Sequence, residues 1–87
     1  VDIDWEFPVS GGEQGNSKRP QDRKNFTYML QTLRDKLNAA GKKDKRSYLL
    51  TAAIGTEERN FANIEVDKVL AILDWANLMC YDFYGAW

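Results

Sequence analysis

The sequence contains no histidine. Ser-His-Asp and Cys-His catalysis and histidine metal ligation are therefore excluded from this stretch. Its one cysteine, Cys80, cannot close an intramolecular disulfide and gives no indication of redox compartment. Neither sign of charge predominates: 12 Lys and Arg against 13 Asp and Glu leave a net charge of -1. A nucleic-acid-binding patch and an acidic repellent surface are both excluded on that balance. The longest uninterrupted apolar run, Val69 to Leu73, is far below the ~18 residues of a membrane span, so no membrane partner is expected. There is no internal repeat and no low-complexity segment. What is present is the composition of an ordinary folded protein, 44% hydrophobic, 29% charged and 13% aromatic.

The length is 87 residues, enough for a small domain that would bury only roughly 60–65% of its unfolded surface. The ends argue for something larger. The sequence starts at Val1, without an initiator Met, inside an alternating pattern, and stops at Trp87 just after a strand-like run. Termini normally lie at exposed edges. The expectation is an internal fragment of a longer chain, incomplete at both ends.

Val1 to Phe7 (VDIDWEF) alternates strictly, with Asp2, Asp4 and Glu6 on one face and Ile3, Trp5 and Phe7 on the other. Pro8 should end that strand, because it cannot donate to a ladder. Val9 to Arg19 is glycine-rich and reads as a loop. Pro20 suits a first helical position, and Phe26, Leu30, Leu33, Leu37 and Ala40 then fall on one helical face. Gly41 is placed to terminate that helix in the left-handed conformation. Lys42 to Arg46 (KKDKR) reads as a solvated charged connection. Tyr48 to Ile54 is a mostly apolar second strand. Thr56 to Asn63 reads as a polar loop, and a helix is expected over Glu65 to Asp74, with Val66, Val69, Leu70 and Leu73 on one face. Asn77 to Phe83 is the third strand. Strand, helix, strand, helix, strand implies α/β architecture with parallel strands and right-handed crossovers. The sequon Asn25-Phe26-Thr27 falls inside the first helix and is given no role.

The three acids are the sharpest chemical signal. Alternate residues of a strand share a face at a spacing of roughly 6.6 Å. They could be the polar outer face of an edge strand. A strand of a parallel sheet, however, is normally covered on both sides. Carboxylates placed there must share protons, form hydrogen bonds or bind something. Closely spaced acids titrate as a coupled set, one pushed towards its neutral form beside an ionised neighbour, which is the separation an acid catalyst needs. A hard cation such as Mg²⁺ or Ca²⁺ could use the same oxygens, but no further ligand motif lies nearby, and neither a metal nor a cofactor is assigned. Cys80 reads as a small buried hydrophobe. Trp5, of opposite parity to the acids, is expected to pack against a helix.

Val1 to Pro8 (VDIDWEFP) resembles the fourth-strand signature of the family 18 glycoside hydrolases, the chitinases: Asp-x-x-Asp-x-Asp-x-Glu followed by an aromatic residue and Pro. The first Asp of that pattern would fall two positions before Val1. Met79-Cys80-Tyr81-Asp82 is similar to the family's Met-x-Tyr-Asp on the sixth strand, and Tyr48 to Ile54 stands where the fifth belongs. The loop VSGGEQGNSKRPQD and the ending DFYGAW look most like bacterial secreted chitinases. The resemblance extends over the whole of residues 1–87, as one piece of a single catalytic domain.

The resemblance implies a (β/α)8 (TIM) barrel, of which this stretch would cover strands 4 to 6 and the two intervening helices, with active-site groups at the carboxyl ends of the strands. It implies a retaining, substrate-assisted hydrolysis of β-1,4-linked N-acetylglucosamine. In that scheme Glu6 is the general acid, Asp4 orients the acetamido group, Asp2 holds Asp4, and Tyr81 hydrogen-bonds the acetamido oxygen. Asp82 contacts the distorted sugar, Met79 lines the subsite floor, and Trp87 and Phe7 are candidate sugar platforms. The implied partner is chitin or chito-oligosaccharides; the protein would be secreted, without cofactor, and monomeric. Phe7 stands where many members have Tyr, and Cys80 where Thr is frequent. Two further activities fit the pattern. One is an endo-β-N-acetylglucosaminidase of the same family. The other is a non-catalytic chitinase-like carbohydrate-binding protein, against which the presence of Glu6 counts.

Overall fold

The computed structural model describes residues 1–16 and 18–80. Six elements follow one another: β1 (Asp2–Asp4), α1 (Asp22–Asp44), β2 (Thr51–Gly55), α2 (Glu58–Ala62), α3 (Val66–Ile72) and β3 (Trp75–Met79). The strands form one parallel sheet in the order β1-β2-β3. Asp2, Ile3 and Asp4 pair with Thr51, Ala52 and Ala53, and Thr51 to Gly55 pair with Trp75 to Met79. The α/β architecture with parallel strands and helical crossovers is therefore as the element order implied.

The helices cover one face of the sheet. Phe26 and Leu30 of α1 pack with Leu50, Ala52 and Ile54 around β2 and with Ile64, Val69 and Leu73 from the second crossover. Leu33 and Leu37 extend the same α1 stripe at partial burial, as their four-three spacing requires. Thr27 donates a 2.7 Å hydrogen bond to Glu65, tying α1 to the start of α3. No helix among the described residues is long and apolar enough to cross a membrane.

Several boundaries differ from expectation, each for an identifiable reason. β1 ends at Asp4, not Phe7, because its pairing with β2 stops there; Glu6 stands two residues beyond the ladder. β2 runs from Thr51 rather than Tyr48, and β3 begins at Trp75, two residues before the expected Asn77. Helix α1 passes through Gly41 and is capped by Lys45 at φ 56. Gly41 serves close approach instead. It is buried, the Arg46 amide donates to its carbonyl at 3.0 Å, and a Cβ there would overlap the Arg46 carbonyl oxygen. The stretch Thr56 to Asn63 is not all loop. Glu57 and Asn60 form a capping box that starts the short helix α2. Val69 of α3 and Leu73 just after it are buried, but Leu70 faces solvent. Among the described residues no helix covers the second face at Asp2, Asp4, Trp75 and Asn77, which are exposed, while Asn60 of α2 and Phe7 lie against Gly55 at its end.

At the amino ends of β2 and β3 a polar clamp fastens α1 to the sheet. Arg34 donates from Nη2 to the Asp74 carboxylate at 2.8 Å and from Nε and Nη2 to the Ile72 carbonyl at 3.0 and 2.8 Å. The other Asp74 contact is the Leu50 amide at 2.8 Å, with the Asp74 amide donating back to the Leu50 carbonyl at the same distance. The Arg34 hydrogen bond, then the Leu50 amide, hold the Asp74 carboxyl below its ordinary 3.8. A depressed native pKa gives stability that is complete above the unfolded value and is lost as pH falls through the native one. Asp74→Asn is therefore expected to lower the melting temperature by a few degrees at neutral pH. The difference from the parent should shrink in an acid titration followed by circular dichroism.

Candidate active site

The second face carries Asp2, Thr51 and Trp75 in one row and Asp4, Ala53 and Asn77 in the next, with Gly55 beside Met79 at the carboxyl end. At Gly55 the absence of a side chain admits Asn60 and Phe7, which a Cβ there would overlap. Asp2 accepts a 2.7 Å hydrogen bond from the Thr51 hydroxyl across the β1–β2 pair. Asp4, at the end of β1, lies next to Glu6. All three carboxyl-bearing residues are exposed.

An open cleft of about 780 Å³ sits at this end of β1, lined by Ile3, Asp4, Trp5, Glu6, Gly12, Glu13, Asn16 and Met29. Two of the acids predicted from the sequence, Asp4 and Glu6, thus meet in one cavity, joined by Glu13 from the following loop. The negative charge of Asp4 is the largest cause pushing the Glu6 carboxyl above its ordinary 4.5. Partial desolvation, a hydrogen bond shared with Asp4 and the charge of Glu13 act in the same direction. A carboxyl whose proton is retained beside an ionised neighbour is equipped to donate it.

The remaining candidates are dispersed. Met79 lies on the acid-bearing face, half-buried and opposite Gly55, but it does not line the cleft. Phe7 points elsewhere, into a small enclosed space shared with Trp5, Phe26, Gly55 and Asn60. Trp5 packs edge-on against Phe26 at 5.8 Å and 67°, the helix contact its parity predicted. Cys80 is half-buried rather than fully buried. Tyr81, Asp82 and Trp87 lie outside the described residues.

Sequence reasoning treated Val9 to Arg19 only as a loop and overlooked Gly12, Glu13 and Asn16. Asn16 donates a 2.8 Å hydrogen bond to the Glu6 carbonyl, and Gly12 at φ 76 lies so close that a Cβ would overlap that same oxygen. The glycines Gly11, Gly12 and Gly15 were the signal available in the sequence, and all three adopt positive φ.

The family model for glycosyl hydrolases family 18 matches residues 1–87. The chain belongs to this family. It is 56% identical, over its full 87 residues, to Chitinase A1 of Niallia circulans, of which it spans 12%. Among solved structures it is similar to Chitinase ChiA74 from Bacillus thuringiensis, with TM-score 0.93 and 48% identity over all of this chain and 14% of that one. It is also similar to a family 18 N-acetylglucosaminidase from Paenibacillus barengoltzii, with TM-score 0.90 and 39% identity over all of this chain and 25% of that one. The family 18 chain thus spans a small part of the relatives it matches, and its relatives are glycoside hydrolases.

Proposed function

We propose that residues 1–87 are part of a secreted, monomeric family 18 chitinase. They would supply strands 4 to 6 of a (β/α)8 barrel, whose usual length of about 250 residues leaves room for fewer than three βα units here. The observation that carries this is the meeting of Asp4 and Glu6 in an open cleft at the carboxyl end of β1, in a chain matched by the family over its whole length. Active sites of such barrels lie at that end of the strands.

In this mechanism Glu6 donates its proton to the glycosidic oxygen as the bond to the anomeric carbon breaks. The nucleophile belongs to the substrate. Its acetamido carbonyl oxygen attacks the anomeric carbon and forms an oxazolinium ion, so no second enzyme carboxylate is needed as nucleophile. Asp4 accepts from the acetamido N–H and stabilises the positive charge that develops. Asp2, anchored to Thr51, supports Asp4 from deeper along the strand. Tyr81 fixes the acetamido oxygen, Asp82 holds the distorted sugar, and Met79 and Trp87 supply apolar surface. Ring opening by water, with Glu6 now acting as base, retains the anomeric configuration.

Chito-oligosaccharide hydrolysis by the full-length enzyme, followed by NMR of the nascent reducing ends, tests this. The β anomer is expected first; initial α anomer would refute a retaining mechanism. Asp4→Asn is expected to lower kcat by about 10²-fold or more, because the group acts directly on developing charge.

A second reading is an endo-β-N-acetylglucosaminidase of the same family that trims N-glycans; similarity to the Paenibacillus barengoltzii N-acetylglucosaminidase keeps activities other than chitinase open within the family. Comparing turnover on chitin with turnover on N-glycan substrates separates the two.

A further inference from the structure

Glu6 is not held by the sheet. The ladder of β1 ends at Asp4, and a glutamate has three side-chain torsions, so its carboxyl can be aimed only if its main chain is fixed by something else. The following loop does this from two directions. Asn16 Nδ2 donates to the Glu6 carbonyl oxygen at 2.8 Å. Gly12 approaches the same oxygen at φ 76, closer than any side chain would permit. The loop is fastened in its turn: the Asn63 side-chain amide, just beyond α2, donates to the Ser10 hydroxyl at 2.9 Å, and the Asn16 amide donates to the Glu13 carbonyl at 3.2 Å. Asn16 and Gly12 also line the cleft that contains Asp4 and Glu6.

We propose that Asn16, with Gly12, is a positioning residue that locks the Glu6 main chain and so keeps the Glu6 carboxyl beside Asp4 in its proton-donating orientation. This rests on Glu6 being the general acid. The loop then has a catalytic purpose beyond connecting β1 to α1. Neither residue needs to touch the scissile bond. Each acts through one carbonyl oxygen, the first by a donor and the second by the absence of a side chain. Freed from them, Glu6 keeps its chemistry and loses its aim, and misplacement of about 1 Å in such a group can cost up to ~10²-fold in rate.

The test uses the full-length enzyme and a chromogenic chito-oligosaccharide, with kcat and KM measured for Asn16→Ala, Asn16→Asp, Gly12→Ala and Gly15→Ala beside Glu6→Gln. Asn16→Ala and Gly12→Ala are expected to lower kcat by about 10- to 100-fold with KM within about twofold. Asn16→Asp, which keeps the shape and replaces the donor by an acceptor, should fall as far. Gly15 lies in the same loop at φ 99 with nothing within 4 Å of its Cβ position, so Gly15→Ala adds left-handed strain without touching Glu6 and should keep its kcat. A normal kcat for Asn16→Ala or Asn16→Asp beside an inactive Glu6→Gln overturns the positioning role and leaves the acid assignment standing. Equal losses at Gly12 and Gly15 assign the effect to loop strain and also overturn it. Near-normal turnover of Glu6→Gln removes the acid assignment itself.

Discussion

Glu6→Gln in the full-length enzyme is expected to lower kcat on chito-oligosaccharides by about 10²- to 10⁴-fold, the contribution typical of a positioned general acid, while oligosaccharide affinity is retained. The amide keeps the length and shape of the side chain and removes only the transferable proton, so the loss should appear in turnover and not in binding. Stopped assays give the first quantity and calorimetric titration of a chito-oligosaccharide the second. A variant with near-normal turnover would sink the assignment. The same site predicts a pH dependence. Glu6 must be protonated to donate, and the charge of Asp4 is the largest cause raising its pKa, so Asp4 extends activity towards higher pH. Neutralising Asp4 removes that charge, and the Glu6 pKa must fall. The alkaline limb of kcat/KM in Asp4→Asn should therefore move to lower pH, in addition to the drop in rate. A limb unmoved by Asp4→Asn would identify a different proton donor.

How much of this site was legible in the sequence depends on how local its causes are. The alternation of Asp2 and Asp4 with Ile3 and Trp5 is a one-strand property and placed the acids on one face. The four-three spacing of Phe26, Leu30, Leu33 and Leu37 is a one-helix property and gave the face that α1 buries. Boundaries were less legible, because they are set by partners. The alternation runs on to Phe7, but the ladder stops at Asp4, where pairing with Ala53 ends. Gly41 has the composition of a helix terminator, yet it serves the return of Arg46 over the helix, a contact invisible in the local sequence. The start of α2 was signalled only by Glu57 and Asn60 at capping-box spacing, without the Ser or Thr that usually opens such a box. The roles of Gly12 and Asn16 were the least legible of all. They depend on a loop folding back on a carbonyl six and ten residues earlier, and a carbonyl has no residue identity for a sequence to display.

The isolated 87-residue segment is expected to show no cooperative thermal transition and no chito-oligosaccharide hydrolysis. Among its described residues, Leu49, Leu70, Trp75 and Leu78 are each at least half exposed, at 50, 51, 51 and 56%. Leu70 and Leu78 belong to one apolar groove with Phe61, Ile64 and Ala76 between α3 and β3, on the side of the sheet where a further helix of a barrel would pack. On the opposite face Asp2 and Trp75, flanking the buried Thr51, are exposed to water, although a closed barrel encloses its inward-pointing side chains. Among the described residues β1 and β3 each leave one edge unpaired, which invites association between copies. Among the described residues, Leu30, Leu50 and Val69 are the large side chains buried completely. That core is small against the conformational entropy of ordering the chain, about 1–2 kcal/mol per residue for the backbone alone. Helix α1, at 23 residues, is long enough to retain fluctuating helicity by itself. Far-ultraviolet circular dichroism should accordingly show partial helix that melts gradually, with weak near-ultraviolet signal from Trp5 and Trp75 and an exposed surface that binds a hydrophobic dye. A single calorimetric transition whose van't Hoff and calorimetric enthalpies agree would contradict this and make residues 1–87 a folding unit in their own right.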